Sequence, residues 1–261
     1  MEFADVFLAM KEAVKTAMDT VLGIYEGHYS VTYKSDSSPL TTADLASNQI
    51  LRDKLSPFST IGWLSEEDSD DFARLSKSLI FIVDPLDGTQ DFVNRNGSFG
   101  INLALVKDHQ PVIAFIGMPV LHSYCYALSG QGAFVVDASG KETPLHVSSR
   151  TDKLIYLASR THDNDEERAV ITRHPDRISQ VIRQGASIKA YYLASGQADA
   201  SVRYTKMTKE WDVCAPDLVV REAGGIFMDT KKKPFVYNRQ DVYNHDGYCM
   251  FNRPENEDLL E

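Results

Sequence analysis

The run LIFIVDPLDGTQDF, Leu79–Phe92, constrains the fold of this chain more than any other segment. Its apolar start, Leu79–Val83, reads as a buried strand, stabilised by about 25 cal/mol per Å² of apolar surface removed from water. Asp84 stands at the end of that strand, and Pro85 is predicted to turn the chain out of the sheet. Asp87 and Gly88 fall in the turn, and Thr89 can open a helix. Strand ends of this kind are where α/β proteins build their sites. The D-x-x-D spacing can bring Asp84 and Asp87 together, and the N–H groups of Gly88 and Thr89 suit a phosphate. Clustered carboxylates repel one another unless a cation sits among them, and hard oxygen ligands favour Mg²⁺ or Mn²⁺ over zinc. The plain structural alternative is that Asp84 caps the strand and Asp87 caps the helix.

Three other acidic stretches repeat the theme. WLSEED (Trp63–Asp68) places Glu66, Glu67 and Asp68 after an apolar segment. SSPLTTAD sets Asp44 three residues after Thr41, a variant of the capping box. EWDVCAP sets Asp212 just before a predicted helix, where an Asp commonly serves as N-cap. Each has a structural explanation when taken alone.

Composition removes several classes. A net charge of −10 argues against binding nucleic-acid polymers or acidic membranes through bulk electrostatics. A small anionic substrate stays possible, because divalent cations can invert the local field. Three scattered cysteines, Cys125, Cys214 and Cys249, suggest buried free thiols rather than a disulfide framework or a zinc site. No segment has the apolar length of a membrane helix. The first residues show neither a basic stretch nor a small-residue cleavage site, so a cytoplasmic protein is the expectation.

Periodicity predicts a helix over residues 3–26, with Phe3, Phe7, Met10, Val14, Ala17, Val21 and Tyr25 inward and Gly27 as the stop. A polar loop follows at Lys34–Leu40. A second helix is predicted from Thr41 or Thr42 to Leu55, with Leu45, Ile50, Leu51 and Leu55 inward. Ser59–Leu64 reads as a strand. FGINLALV, PVIAFIGM, SYCYAL and GAFVV, separated by turn signals, predict an antiparallel meander. Further on, Leu154–Ser159, Asp199–Arg203 and IFMDT read as strands. Asp165–Arg173, Ile188–Ser195 and Val213–Ala223 read as helices, with Pro216 in the first turn of the last. The polar run Ser148–Lys153 predicts a division into subdomains 1–148 and 149–261.

Taken in order, SSPLTTAD, LSEED, DPLDGT and WDVCAP closely resemble the lithium-sensitive, magnesium-dependent phosphatase superfamily. It includes inositol monophosphatases, fructose-1,6-bisphosphatases and 3'(2'),5'-bisphosphate nucleotidases. The resemblance runs from about Lys34 to Gly225. It implies a layered α-β-α-β-α sandwich with the site between the subdomains. It also implies that Glu66, Asp84, Asp87 and Asp212 ligate two or three Mg²⁺ ions, assisted by the carbonyl of Leu86. Mn²⁺ would be a possible substitute and Li⁺ an inhibitor. Asp44 and Thr89, with Glu66, would position or activate the attacking water, and Gly88 and Thr89 would hold the phosphate. In-line attack would then release phosphate without a phosphoenzyme. Haloacid-dehalogenase phosphatases carry D-x-D-G-T, one residue shorter, with a nucleophilic first Asp, and do not match. Relatives occur as monomers and as homodimers.

The leaving group must be read elsewhere. NRNGSFGINLALV (Asn94–Val106) resembles the R-N-G-E-F-x-x-N-I-A-L segment of the CysQ-type nucleotidases, with Ser98 in place of the usual Glu. GASIKAYYLASGQADASVR resembles G-S-S-L-K…A-x-G-Q-A…R, which makes Lys189 and Arg203 candidates for a second phosphate. The alternative for each is a surface base. Inositol monophosphatases tend to place a sugar-binding acid several residues before W-D. Here Glu210 is too close to that motif, and Thr205 lies nearer the expected position. The resemblance thus favours removal of the 3'-phosphate from adenosine 3',5'-bisphosphate, a by-product of sulfate assimilation. An inositol or other sugar-phosphate monoesterase is the alternative, and an inactive metal-binding relative is the second.

Overall fold

The computed structural model describes residues 2–34, 37–161 and 164–261. The polar loop predicted over Lys34–Leu40 therefore includes two positions, 35 and 36, outside the described residues. In chain order the elements are α1 (Phe3–Glu26), β1 (Val31–Tyr33), β2 (Pro39–Thr41), α2 (Thr42–Leu55), β3 (Gly62–Ser65), β4 (Leu79–Asp87), α3 (Thr89–Val93), β5 (Gly100–Lys107), β6 (Gln110–Met118), β7 (Ser123–Leu128), β8 (Gly132–Val136) and β9 (Glu142–Pro144). The second half adds β10 (Leu154–Ser159), α4 (Asp165–Arg173), β11 (Ile178–Gln184), α5 (Ile188–Ala194), β12 (Ala200–Arg203), α6 (Glu210–Glu222), β13 (Ile226–Met228) and β14 (Tyr248–Phe251).

A seven-stranded sheet runs in the order β3-β4-β5-β6-β7-β8-β9, parallel between β3 and β4 and antiparallel beyond. Strand alternation feeds both of its faces. Ile80 and Ile82 join Leu64, Ala104 and Val106 on one side, while Phe81 and Val83 join Leu103 and Leu105 on the other. The pair α1 and α2 covers the second face, and α5 and α6 cover the first. A five-stranded sheet, β11-β10-β12-β14-β13, packs against the outer side of α5 and α6, and α4 closes the stack through Val170. The result is the α-β-α-β-α layering implied by the sequence. The last strand of the seven-stranded sheet ends at Pro144 and the first strand of the five-stranded sheet begins at Leu154. No helix among the described residues is long and apolar enough to cross a membrane.

Several expectations need correction. Phe3 is 45% exposed, because the buried stripe of α1 begins at Val6. Leu45 is 52% exposed, since the inward face of α2 runs through Ala43, Asp44, Ser47, Asn48, Leu51 and Leu55. Half of that face is polar because it meets the acidic ends of β3 and β4: Ser47 Oγ donates to the Pro85 carbonyl at 2.7 Å, and Ser65 Oγ donates to Asn48 Oδ1 at 2.8 Å. The strand at Ser59–Leu64 begins later, at Gly62. Pro85 does not end its strand. Pairing continues to Asp87 across an irregularity in which three residue steps on β4 answer two on β5. The helix expected from Val213 starts at Glu210, so Asp212 lies inside its first turn and Pro216 lies in its middle. Strands β1, β2, β9, β11 and β14 have no counterpart in the sequence reading, and β2 (Pro39–Thr41) takes the end of the segment expected as a polar loop; β11 is a largely exposed edge strand, and β14 is carried by the short apolar run Tyr248–Phe251.

Candidate active site

The acidic ends of β3 and β4 open into a cleft of about 490 Å³. The β3–β4 ladder continues one step past Ser65, where Glu66 N donates to the Val83 carbonyl at 3.2 Å. Glu66 thereby comes beside Asp84. Asp84 is buried, and its Oδ1 accepts the Leu86 N–H at 3.1 Å. Asp87 follows the β4 irregularity, and its Oδ2 accepts the Ser187 N–H at 2.6 Å and the Asn102 amide at 3.1 Å. It is therefore not a helix cap. Asp212 enters from α6, on the other layer, with its Oδ2 accepting the Lys209 N–H at 2.5 Å. That makes it the third helical residue reaching back to the N-cap, not the N-cap itself.

One carboxylate oxygen from each of Asp84, Asp87 and Asp212 lies within 4.8 Å of the others. Burial pushes the Asp84 carboxyl well above its ordinary range, and the charges of Glu66, Asp87 and Asp212 push it further. Asp212 is raised for the same reasons, burial first and then Asp87 and Glu66. Asp87 is raised by burial, against the pull of the Ser187 N–H. Oxygen-only donors held together against their own repulsion fit a hard divalent cation, which would restore the charged form of all three.

Glu66 lines the same cleft but stands apart from this trio, with its Oε1 2.9 Å from Lys34 Nζ. The same ammonium lies 2.6 Å from Glu67 Oε1. Burial would lower the Lys34 ammonium, but the two carboxylates outweigh it and raise it. Glu67 is pushed up to about 7, mainly by burial. Asp68 is absorbed by Trp63 Nε1 at 2.8 Å and Arg52 Nε at 2.9 Å.

Asp44 is both a capping residue and a cleft residue. Its Oδ2 accepts the Thr41 N–H at 2.8 Å, and its Oδ1 faces Thr89 Oγ1 at 2.9 Å. Thr89 Oγ1 also lies 3.1 Å from the Leu86 carbonyl. Burial raises the Asp44 carboxyl, opposed by the hydrogen bonds from Thr41 and Thr89. Gly88, at φ +90°, turns the chain into α3, and a Cβ there would press on the Ser98 carbonyl at 3.0 Å.

Neither Lys189 nor Arg203 is a surface base; they are 4% and 7% exposed and line the same cleft. Arg203 pairs with the buried Glu167. Lys189 lies 5.8 Å from the ring centroid of Tyr248, and burial and the Arg203 charge pull it down to about 7. Thr205 also lines the cleft. Glu210 does not: it is fully buried and accepts the N–H groups of Asn238 at 2.7 Å and Arg239 at 2.8 Å. Arg95 of the R-N-G run turns away to cap α1, donating to the carbonyls of Tyr25 at 2.8 Å and Gly27 at 3.0 Å. Ser98 donates to Gln184 Oε1 at 2.9 Å.

The sequence matches the inositol monophosphatase family over residues 4–258. The chain belongs to that family. As a member of the inositol monophosphatase family it is a phosphatase, a phosphoric monoester hydrolase. It is 30% identical over 243 residues to the 3'(2'),5'-bisphosphate nucleotidase CysQ of Aggregatibacter actinomycetemcomitans, spanning 92% of this chain and 90% of that protein. It is 29% identical over 241 residues to CysQ of Escherichia coli K12, spanning 91% and 96%. The crystal structure of CysQ from Bacteroides thetaiotaomicron superimposes with a TM-score of 0.83 at 31% identity, covering 95% of this chain and 98% of that one. The suhB protein of Bartonella henselae gives 0.84 at 25% identity, covering 98% and 97%. Backbone likeness to these two structures is thus nearly the same.

Proposed function

We propose that this family member is a Mg²⁺-dependent 3'(2'),5'-bisphosphate nucleotidase that hydrolyses adenosine 3',5'-bisphosphate to AMP and phosphate in the cytoplasm. The observation that carries this reading is the pair of buried bases, Lys189 and Arg203, in the same cleft as the three aspartates. Buried bases suit a second phosphate: Arg203 is already held by Glu167, and Lys189 beside it would gain a charged hydrogen bond from a phosphate that a neutral polyol does not offer. The consumption of Glu210 by Asn238 and Arg239 removes the acid nearest W-D from any role in holding sugar hydroxyls.

Asp84, Asp87 and Asp212 would hold the cations, with Glu66 released from Lys34 and the Leu86 carbonyl completing the set. Bound there, Mg²⁺ would neutralise phosphate oxygens, make a water more acidic and stabilise the leaving alkoxide. Thr89 and Asp44 form the proton-accepting pair: the Thr89 hydroxyl gives its proton toward Asp44 and can accept one from the attacking water. The first N–H groups at Gly88 and Thr89, left without intrahelical partners by the start of α3, face a phosphate oxygen. Lys189 and Arg203 fix the second phosphate and so orient the scissile one. The leaving ribose oxygen takes its proton from solvent.

A phosphate-release assay with Mg²⁺ on adenosine 3',5'-bisphosphate and inositol 1-phosphate tests the reading. A clear preference for the bisphosphate is expected. Preference for the inositol ester would overturn the substrate assignment, and no turnover of either by folded protein would favour a binding role.

A further inference from the structure

Asn102 is 1% exposed and pairs with Asp84 across the β4–β5 ladder. Its Nδ2 donates to Asp87 Oδ2 at 3.1 Å and reaches the Trp211 carbonyl at 3.4 Å. Asp212 follows Trp211 directly in sequence. One amide side chain therefore sits opposite the first acid of the trio, holds the second and touches the backbone that carries the third. Both neighbours of Nδ2 are acceptors, so the amide cannot be flipped without setting oxygen against oxygen.

The second donor to Asp87 is the Ser187 N–H, and it falls on the same oxygen, Oδ2. Oδ1 is then the oxygen left for a cation. The other end of the Asn102 amide gains nothing: its Oδ1 has no hydrogen-bond partner among the described residues. Burying an acceptor without a partner is unfavourable, and an aliphatic side chain of similar size would avoid that penalty. Stability alone therefore does not account for an amide at this position.

We propose that Asn102 is a positioning residue for the metal centre, holding Asp87 in one rotamer and the first turn of α6 against β4 so that three repelling carboxylates stay converged before a cation arrives. This rests on reading the acid trio as a cation site.

The test uses the full chain and Asn102→Leu, which keeps the size and removes the donor. Mn²⁺ binding to chelator-treated protein is measured by electron paramagnetic resonance without substrate, beside the melting temperature of the metal-free protein and the Mg²⁺ dependence of phosphate release. Mn²⁺ affinity is expected to fall about 10- to 100-fold, with a matching rise in the half-activating Mg²⁺ concentration. The half-activating Mg²⁺ concentration should change by a larger factor than turnover at saturating Mg²⁺. Should Asn102→Leu fail to fold, Asn102→Ser, too short to reach Asp87, is expected to weaken Mn²⁺ binding in the same way. Unchanged Mn²⁺ affinity in a folded variant overturns the proposal, as does a loss of melting temperature and turnover with Mn²⁺ binding intact. Failure of the wild-type protein to bind Mn²⁺ would instead overturn the cation reading on which it stands.

Discussion

Thr89 and Asp44 meet across 45 residues of sequence, with Thr89 Oγ1 2.9 Å from Asp44 Oδ1. Thr41 occupies the other oxygen of Asp44 through both its N–H and its hydroxyl, at 2.8 Å and 2.5 Å. The carboxylate is thus fixed by its own helix start and aimed at one hydroxyl. Thr89→Val keeps the shape and deletes the proton path, so kcat is expected to fall about 10²-fold or more. Thr89→Ser should retain most of the activity. A loss in Thr89→Ser with Thr89→Val still active, measured by phosphate release, would show that the threonine methyl rather than its hydroxyl matters.

Asp84→Asn is expected to abolish turnover and leave the fold intact. The amide oxygen can still accept the Leu86 N–H, now at 3.1 Å from Asp84 Oδ1, while one charge leaves a repelling group. Metal-free Asp84→Asn should therefore melt above metal-free wild type, and Mg²⁺ should raise its melting temperature less. Near-normal turnover would refute a ligand role for Asp84.

The stabilising effect of Mg²⁺ should depend on pH, with a sign set by the raised carboxyls of Asp84 and Asp212. A carboxyl whose folded pKa lies above its unfolded value stabilises the fold only while protonated. That contribution is present below the ordinary carboxyl range and is lost as pH rises through the raised value. The metal-free protein should accordingly weaken on going from acid to neutral pH, while Mg²⁺, which needs ionised ligands, gains affinity. Thermal melts in chelator and in Mg²⁺ should diverge more at a pH of about 8 than at about 5.5. A constant gap would argue against cation binding at these acids.

Lys189→Met should cut kcat/KM for adenosine 3',5'-bisphosphate about 10- to 100-fold, the size of one charged hydrogen bond. The effect on adenosine 3'-monophosphate should be much smaller. Because Lys189 is pulled down to about 7, its charge is present below that pH and fades above it. The wild-type preference for the bisphosphate should decline as pH rises through about 7. Equal loss on both substrates would detach Lys189 from the second phosphate.

The sequence was most legible where chemistry forces residues into short runs. DPLDGT and WDVCAP announced acids that the structure brings within 4.8 Å, although they come from different layers. The alternation of Ile80 and Ile82 against Phe81 and Val83 likewise announced a strand buried on both faces. What escaped was long-range pairing between ordinary residues. Nothing in GASIK marks the Ser187 N–H as a donor to an aspartate 100 positions earlier. Asn102 lies within NRNGSFGINLALV, but its contact with Asp87 depends on strand register. Leu45 looked like a core residue because hydrophobicity was the guide, whereas α2 turns its polar side toward the site. Pro216 fits a first turn by residue type, yet it stands in the middle of α6. Lacking an N–H, it leaves the Asp212 carbonyl without its usual partner four residues on.

The irregularity at Pro85 has a geometric result. In a regular strand, residues three apart project to opposite sides, which would have sent Asp84 and Asp87 to different faces of the sheet. Their partners, Asn102 and Gly100, are two apart and so share a side. The surplus residue on β4 resets the parity, and both acids look toward α6. Deleting one residue between them, even one whose side chain touches nothing in the cleft, would turn one carboxylate toward α1 and α2 and dissolve the arrangement without altering a single acidic residue.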